Sequence, residues 1–490
     1  MNRKNLYFAS AISLLFFILG CFFAWNHEIW LDESYHYLLP RSSVSVSQMV
    51  RNSAPYGHPI LWNIVLFYYG KIAPGIFEMQ VLHCLIASLC IFIISYYSPF
   101  NTYEKLLIVY GYFFMYEYNV IAKNYTLGFM LVFLALILFE KNKKLWVIAI
   151  TLGLAANVHL FTLFLSASVF IYIGIKRFEA PFQKQFLPIV IFLLLLIVAA
   201  IQIIPPENVI REYDSFNHSS LLSVERLKRA FGSFGKGLVN IPDFRTVHYW
   251  NSNFIYNISH LLNYLLSALL VVLVFFHLHK NRKLLLLFFI PVSFIMCFVY
   301  LAPLSIGIRY WGYYYVLLII CTWLLRRQTE STSFSKVFFV SILSIQFLVS
   351  LPALLVDYYY PFSNAKKAAT ILKEQKKERY PLFTEKLALG PPLSAYMGKP
   401  VFYPSSKTFE TFSFRFVSKK YTAHEFVQES LVKLKEMHFD TCILVLATEM
   451  PDSVPSFFKH TCFIDKIAVL ENAIVPSENY FLYLLSKKDG

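Results

Sequence analysis

Eleven runs of this sequence are apolar over lengths that cross, or nearly cross, a lipid bilayer: residues 6–25, 79–97, 104–118, 125–139, 145–157, 158–175, 185–204, 253–278, 284–302, 309–325 and 336–356. A hydrocarbon core of about 30 Å takes about 20 residues of α-helix to span. Within it every backbone N–H and C=O has to be paired inside the segment, which runs of this kind achieve as helices. The chain is therefore expected to be a polytopic α-helical membrane protein with about 11 transmembrane helices. Composition agrees, since 57% hydrophobic residues, 18% aromatic residues and a mean hydropathy of +0.53 fall outside the soluble range. The net charge of +15 does not point to nucleic acid. The Lys and Arg residues gather in short loops beside apolar runs, where they orient helices in a bilayer, and no nucleic-acid module is visible.

The first run follows Arg3 and Lys4 and lacks a small-residue cleavage site, so it is expected to be a retained helix. One further run, Pro59 to Ala73, is about fifteen residues long and ends at Pro74-Gly75. The positive-inside rule decides its place. With Arg3 and Lys4 inside and 59–73 lying along the interface, the internal loops are 98–104, 140–144, 176–184, 279–283 and 326–335. These hold Lys141, Lys143, Lys144, Lys176, Arg177, Lys184, Lys280, Arg282, Lys283, Arg326 and Arg327, while the outer turns near 119–124, 157–159 and 303–308 hold Lys123 alone. Two long external loops follow, 26–78 and 205–252, within a membrane domain at 1–356.

Residues 357–490 fall on the same outer face. They pass from a lysine-rich amphipathic stretch (Lys366, Lys367, Lys373, Lys376, Lys377) to short strand-like runs such as Cys442–Ala447, which reads as a small soluble α/β domain. Five cysteines lie in apolar runs as small core residues. Cys442 and Cys462 lie in the polar C-terminal region, and two readings stay open for them, free thiols or a disulfide in an oxidising compartment.

Asp32 and Glu33 stand directly beyond the end of the first run, in Trp30-Leu-Asp-Glu-Ser-Tyr-His-Tyr37, and the same loop ends in Tyr56-Gly-His58-Pro59. Acids at a helix start are often plain caps. Carboxylates, imidazoles and phenols gathered at a membrane surface also suit a polar reaction on a lipid-linked substrate. Glu117 and His159 fall on the same face, each with a structural reading beside a functional one, Glu117 as a partner of Lys123 and His159 as a buried core histidine. His27, Asp32, Glu33, His36 and His58 share one loop, but zinc wants three close ligands and Mg²⁺ more carboxylates. No metal is expected to be required, and a divalent cation is the open alternative. Gly232-Ser-Phe-Gly-Lys-Gly237 lacks the Ser or Thr and the preceding strand of a phosphate loop and is expected to be a flexible external loop.

The Asp32-Glu33 pair after the first helix, with His58-Pro59 opening an apolar helix, resembles the first-loop pattern of the type-C glycosyltransferase superfamily. Protein O-mannosyltransferases and lipid A aminoarabinose transferases are members. Ala122-Lys-Asn-Tyr125 is similar to that superfamily's Arg-x-Tyr turn, and Arg309-Tyr310 to its Arg-Tyr pair at a late helix. Tyr360-Pro-Phe-Ser-Asn-Ala365 is similar to the start of its extracytoplasmic domain. Ile60 stands where the family often has a second proline, and Lys123 where it often has Arg, which keeps the charge but loses bidentate geometry. The resemblance implies a polyprenyl-phosphate sugar donor, Asp32 and Glu33 as catalytic residues, and His58, Lys123, Tyr125, Arg309 and Tyr310 against the donor phosphate and substrate. It also implies an integral membrane protein of a bacterial inner membrane with its site and C-terminal domain outside the cytoplasm. The acceptor stays open among lipid, glycan and protein.

The chemistry follows from the leaving group. A polyprenyl phosphate departs as a stable anion, so one carboxylate suffices as general base for an incoming hydroxyl or amine. Glycosidases need two because their leaving group is an alcohol. Asp32 is the expected base, Glu33 its orienting neighbour, and Lys123 and Arg309 the fixed cations for the phosphate. The alternative from a different class is a transporter or flippase gated by the external acids, but ionisable residues of transporters concentrate at the midplane on broken, repeated helices.

Overall fold

The computed structural model describes residues 3–54, 57–177, 182–204, 223–301, 307–329, 332–412 and 421–488. Part of the long loop expected at 205–252, residues 205–222, lies outside them. The first helix α1 (Arg3–Asn26) is followed by α2 (Leu31–Arg41), α3 (Val46–Ser53) and α4 (Leu61–Tyr69). Then come α5 (Ile76–Tyr97), α6 (Thr102–Val109), a π-helical segment (Phe113–Val120), α7 (Tyr125–Glu140), α8 (Leu145–Ala156), α9 (Leu160–Lys176) and α10 (Phe182–Ile203). The remaining membrane-domain helices are α11 (Val224–Leu238), α12 (Phe254–Ile258), α13 (His260–Leu278), α14 (Arg282–Leu301), α15 (Ile308–Arg326) and α16 (Ser333–Tyr359).

Every apolar run falls on helical structure. Among the described residues, seven helices are long and apolar enough to cross a membrane, or eight when Thr102–Val120 and Tyr125–Glu140, bent by 120°, count as one span. The shorter apolar helices α8 and α9 account for the other two runs. Helix α4 has nine residues, about 14 Å at the α-helical rise, too short to cross. Its first amides are met from elsewhere, Ile60 N by Gln202 Oε1 and Leu61 N by the Asn157 carbonyl, both at 3.0 Å. The His58-Pro59 strap is thus tied to the turn between α8 and α9.

The loops expected to share one side meet at one end of the bundle. Arg327 bonds Glu140 and the Tyr97 carbonyl, Lys176 and Asn281 both reach Gln328, and Arg326 makes a two-pronged ion pair with Glu104 at 2.5 and 2.6 Å. The ends of α1 and α16 and the starts of α7, α9 and α15 lie at the opposite end. Helix α15 runs between the two ends through the centre of the core, buried along nearly its whole length from Ile308 to Leu325.

Gly232–Gly237 is not a loop. It lies in α11, and its glycines are where α11 meets its neighbours: a Cβ at Gly237 would stand 2.5 Å from the Trp311 carbonyl oxygen, and one at Gly235 2.6 Å from Ser267 Oγ. Absence of side chains here serves close helix packing, not flexibility.

The C-terminal part holds α17 (Ala365–Glu374), β1 (Leu382–Thr384), α18 (Gly390–Met397), β2 (Val401–Tyr403), β3 (Thr408–Glu410), α19 (Ala423–Glu436), β4 (Thr441–Leu446), α20 (Ser453–Phe458), β5 (Cys462–Leu470) and β6 (Tyr480–Lys487). The strands form one mixed sheet in the order β3-β2-β1-β4-β6-β5. Alternation along β4 covers both faces: Ile443 and Val445 pack toward α17 and α18, and Cys442, Leu444 and Leu446 toward α19 and α20. Cys442 and Cys462 are free. They sit on β4 and β5, the two strands flanking β6, opposite Leu485 and Lys487, which puts their backbones more than about 9 Å apart and beyond disulfide reach.

Glu104→Ala would leave Arg326 buried without its carboxylate. A loss of about 3–5 kcal/mol is expected, read as a lower Tm of the detergent-solubilised protein.

Candidate active site

Trp30 caps the start of helix α2, and its backbone N–H donates to Glu33 Oε2 at 3.4 Å. Asp32 and Glu33 thus both stand in its first turn, where the helix dipole favours anions. Successive residues on a helix point about 100° apart. That rotation separates them: the Asp32 side chain stays partly exposed, and Glu33 has no exposed surface.

Asp32 Oδ2 accepts from Lys123 Nζ at 2.5 Å and from Arg309 Nη2 at 2.9 Å. Lys123 belongs to the four-residue break before α7, and Arg309 is the second residue of α15. Both are buried, at 3% and 9% exposure. The guanidinium of Arg309 lies over the rings of Trp30 (4.8 Å), Tyr310 (4.9 Å) and Trp250 (5.3 Å), and Lys123 Nζ lies 5.7 Å from the Trp30 ring and 5.5 Å from Tyr125. Aromatic faces attract cations and exclude water. Burial alone would raise the Asp32 pKa, but Lys123 and then Arg309 overcome it and hold the carboxyl at about 2. One carboxylate against two cations leaves a positive site.

The neighbouring imidazoles are neutral. Burial pushes His36 down to about 4 and His58 to about 3, with Lys123 adding to both. His36 Nδ1 pairs with Asn63 Oδ1 at 2.7 Å. His58 stacks on His159 at 5.3 Å, and His159 in turn contacts Tyr125, Tyr310 and Tyr313. His159 Nδ1 accepts from Phe161 N at 3.2 Å, which makes its neutral form the Nε2–H tautomer. All seven residues expected at the site, Asp32, Glu33, His58, Lys123, Tyr125, Arg309 and Tyr310, are therefore gathered in one cluster. Glu117 is not the partner of Lys123. It accepts from Tyr112 Oη at 2.7 Å and Trp250 Nε1 at 3.0 Å, behind the aromatic wall.

Glu33 differs from its neighbour in every contact. Oε1 accepts from the Ala122 amide at 2.6 Å, one residue before Lys123, and Oε2 faces His27 Nε2 at 3.0 Å. The other His27 nitrogen faces Asp357 Oδ2 at 2.8 Å, at the end of α16. With a carboxylate on each side, both ring nitrogens donate. Burial opposes that charge, but Asp357 and then Glu33 outweigh it and raise the His27 pKa well above the ordinary value. Glu33, expected as a catalytic residue beside Asp32, fastens the Lys123 turn and, through His27, the α16 end to α2, and has no exposed surface.

The sequence gives little warning of three further residues. Trp30 and Trp250 form the wall around Arg309, and aromatics beside a membrane are too common to single out. Glu478, from the C-terminal part, accepts from the Leu31 amide at 2.8 Å, 447 residues away in sequence. Among the described residues no group of three or more His, Cys, Asp or Glu side chains is arranged to hold a metal ion.

No protein-family model and no curated protein matches the chain. Solved structures do. ArnT from Cupriavidus metallidurans in the apo state aligns over 98% of this chain and 97% of its own, with a TM-score of 0.55 and 10% identity. The same protein bound to undecaprenyl phosphate aligns over 99% and 98%, with a TM-score of 0.53 and 8% identity. The chain shares the fold of ArnT. The likeness is one of fold and extends over nearly the whole chain, C-terminal sheet included.

Glu33→Ala would strand the Ala122 amide and leave His27 Nε2 without an acceptor. A loss of about 3–5 kcal/mol is expected, and Glu33→Gln, which keeps an acceptor for Ala122, should recover part of the Tm.

Proposed function

We propose that the protein is an inverting glycosyltransferase that moves a sugar from a polyprenyl-phosphate donor to a hydroxyl or amine acceptor. The observation that carries this reading is Asp32 held between two buried cations at the end of an apolar bundle. That ArnT was solved with undecaprenyl phosphate supports a donor of the same class.

The donor phosphate shares Lys123 and Arg309 with Asp32. Among the described residues the Arg309 Nε has no partner, so the fork has a donor to spare for a phosphate oxygen while Nη2 stays on Asp32. The acceptor oxygen or nitrogen attacks the anomeric carbon from the face opposite the phosphate. The bond from that carbon to the phosphate oxygen breaks, and its electron pair leaves on the polyprenyl phosphate, stabilised by the two cations. Asp32 takes the acceptor's proton and later releases it to water. One displacement inverts the anomeric centre. His58, Tyr125 and Tyr310 line the donor side.

The same cations that bind the phosphate hold the free Asp32 near 2, too acidic for an efficient base. The bound donor's phosphodiester monoanion competes for them and returns basicity to Asp32. The acid limb of kcat, which reports the complex, should therefore lie at higher pH than that of kcat/KM, which reports the free enzyme. Coincident limbs would count against this coupling.

Asp32→Asn should lower transfer by roughly 10²–10⁴-fold while undecaprenyl phosphate binds at least as tightly, because the internal competitor for the cations is gone. Purified protein with a panel of polyprenyl-phosphate sugars supplies the assay, and full activity of the variant would remove Asp32 as base. No metal step is invoked; chelation should leave the rate unchanged, and a loss restored by Mg²⁺ would overturn that.

The site faces away from the cytoplasm in this reading, since the lysine- and arginine-rich loops lie at the other end of the bundle. Reporter fusions after Lys144 and after Asp357 should read cytoplasmic and external.

A further inference from the structure

The C-terminal part touches the loop that carries Asp32 at three points just before it, one at a side chain and two at backbone amides. Phe362 N donates to Glu28 Oε2 at 2.9 Å, Ile29 N donates to Tyr396 Oη at 3.0 Å, and Leu31 N donates to Glu478 Oε1 at 2.8 Å. Leu31 is the first residue of α2 and has no intrahelical acceptor for its amide. Glu478 supplies that acceptor from a turn fixed just ahead of β6, at a residue with no exposed surface. Its own backbone carbonyl accepts from Asn364 N at 3.2 Å, and Asn364 side-chain nitrogen bonds the Leu470 and Glu471 carbonyls at 3.1 Å. The cap is therefore rigidly joined to the sheet.

We propose that Glu478 is a positioning residue for Asp32, so that the C-terminal domain is a structural part of the active site. This rests on the reading of Asp32 as general base. A base has to meet the acceptor's proton within hydrogen-bond reach, and a displacement of about 1 Å can cost on the order of 10²-fold in rate. Asp32 follows Leu31 directly, so an unheld first turn of α2 moves the carboxylate. The electrostatics suit a neutral cap. Burial, with the charges of Asp32 and Glu33 adding to it, raises the Glu478 pKa to about 8, while Ser363 and the Leu31 amide act against the rise. Tyr35, Tyr396 and Tyr480 are the other titratable groups that sense it. Glutamine is then a close substitute, with the same length and the same carbonyl acceptor.

The test compares Glu478→Ala, Glu478→Asp and Glu478→Gln in the full-length detergent-purified protein. Amide hydrogen exchange of the peptide covering Ile29 to Ser34 should quicken by about tenfold or more in the Ala and Asp variants and stay near wild type in the Gln variant. With an active donor, kcat should fall by about tenfold or more in Ala and Asp, with the donor KM and undecaprenyl phosphate binding unchanged, because Lys123 and Arg309 are not held by Glu478. Glu478→Asp keeps the carboxyl group and is a conservative change, should the Ala variant not fold. Unchanged exchange in both, a full kcat despite faster exchange, or a Gln variant as impaired as Ala would each overturn the proposal. If wild type transfers nothing from any polyprenyl-phosphate sugar, the glycosyltransferase reading fails and the exchange result still decides whether Glu478 holds the turn.

Discussion

The ion pairs of Asp32 with Lys123 and Arg309 join parts of the chain 91 and 277 residues apart, and the arrangement of this end of the bundle follows from them. Two cations buried to below a tenth of their surface need an anion within contact, because an unpaired charge out of water costs several kcal/mol. Asp32 supplies one charge for two. The break before α7, the start of α15 and the first turn of α2 therefore converge on one point, and that point keeps an excess of positive charge. A second anion completes the balance, and the anion that the proposed reaction brings is a phosphate.

Holding such a cluster steady takes further contacts behind it. Glu33 pins the Ala122 amide, His27 bridges Glu33 to Asp357, and Gln80 on α5 donates to the His27 carbonyl at 3.2 Å. Each link satisfies a polar group that would otherwise be buried alone. The two adjacent acids are thus divided by helix geometry into one that faces the cations and one that faces the protein. Their order cannot be exchanged: rotating the helix by one residue would bury Asp32, whose shorter side chain could not reach both Ala122 and His27.

Part of this was legible in the sequence. Asp32, Lys123 and Arg309 stand out because charge beside an apolar run is expensive and has to be explained, and the positive-inside bias then sorts them to one face. The helices were legible for the same reason, since only apolar length was needed. Gly232–Gly237 was not, because glycine serves both loops and tight helix contacts, and the difference lies in Trp311 and Ser267 on helices far along the chain. His27 was visible as a residue but not as a bridge, since its partner Asp357 lies 330 positions away. Glu478 carries no local pattern at all. Its role exists only where a turn of the C-terminal sheet meets the first turn of α2, and periodicity does not report such a meeting.

The residue types at the two cation positions also follow from their surroundings. Arg309 sits among Trp30, Trp250 and Tyr310, where a flat guanidinium can stack and still direct N–H groups at Asp32; an ammonium would leave those faces unmatched. Lys123 projects from a tight break whose backbone is already committed to Glu33, and a compact charge on a flexible stem reaches Asp32 from there. Arginines near a bilayer edge tend to snorkel toward water. Arg309 does not have that freedom, because α15 is buried along its length and anchored at its far end by the Arg326–Glu104 pair. The Arg326–Glu104 pair at one end and the Asp32 cluster at the other are thus two ends of one rigid rod, and the register of the first sets the position of the second.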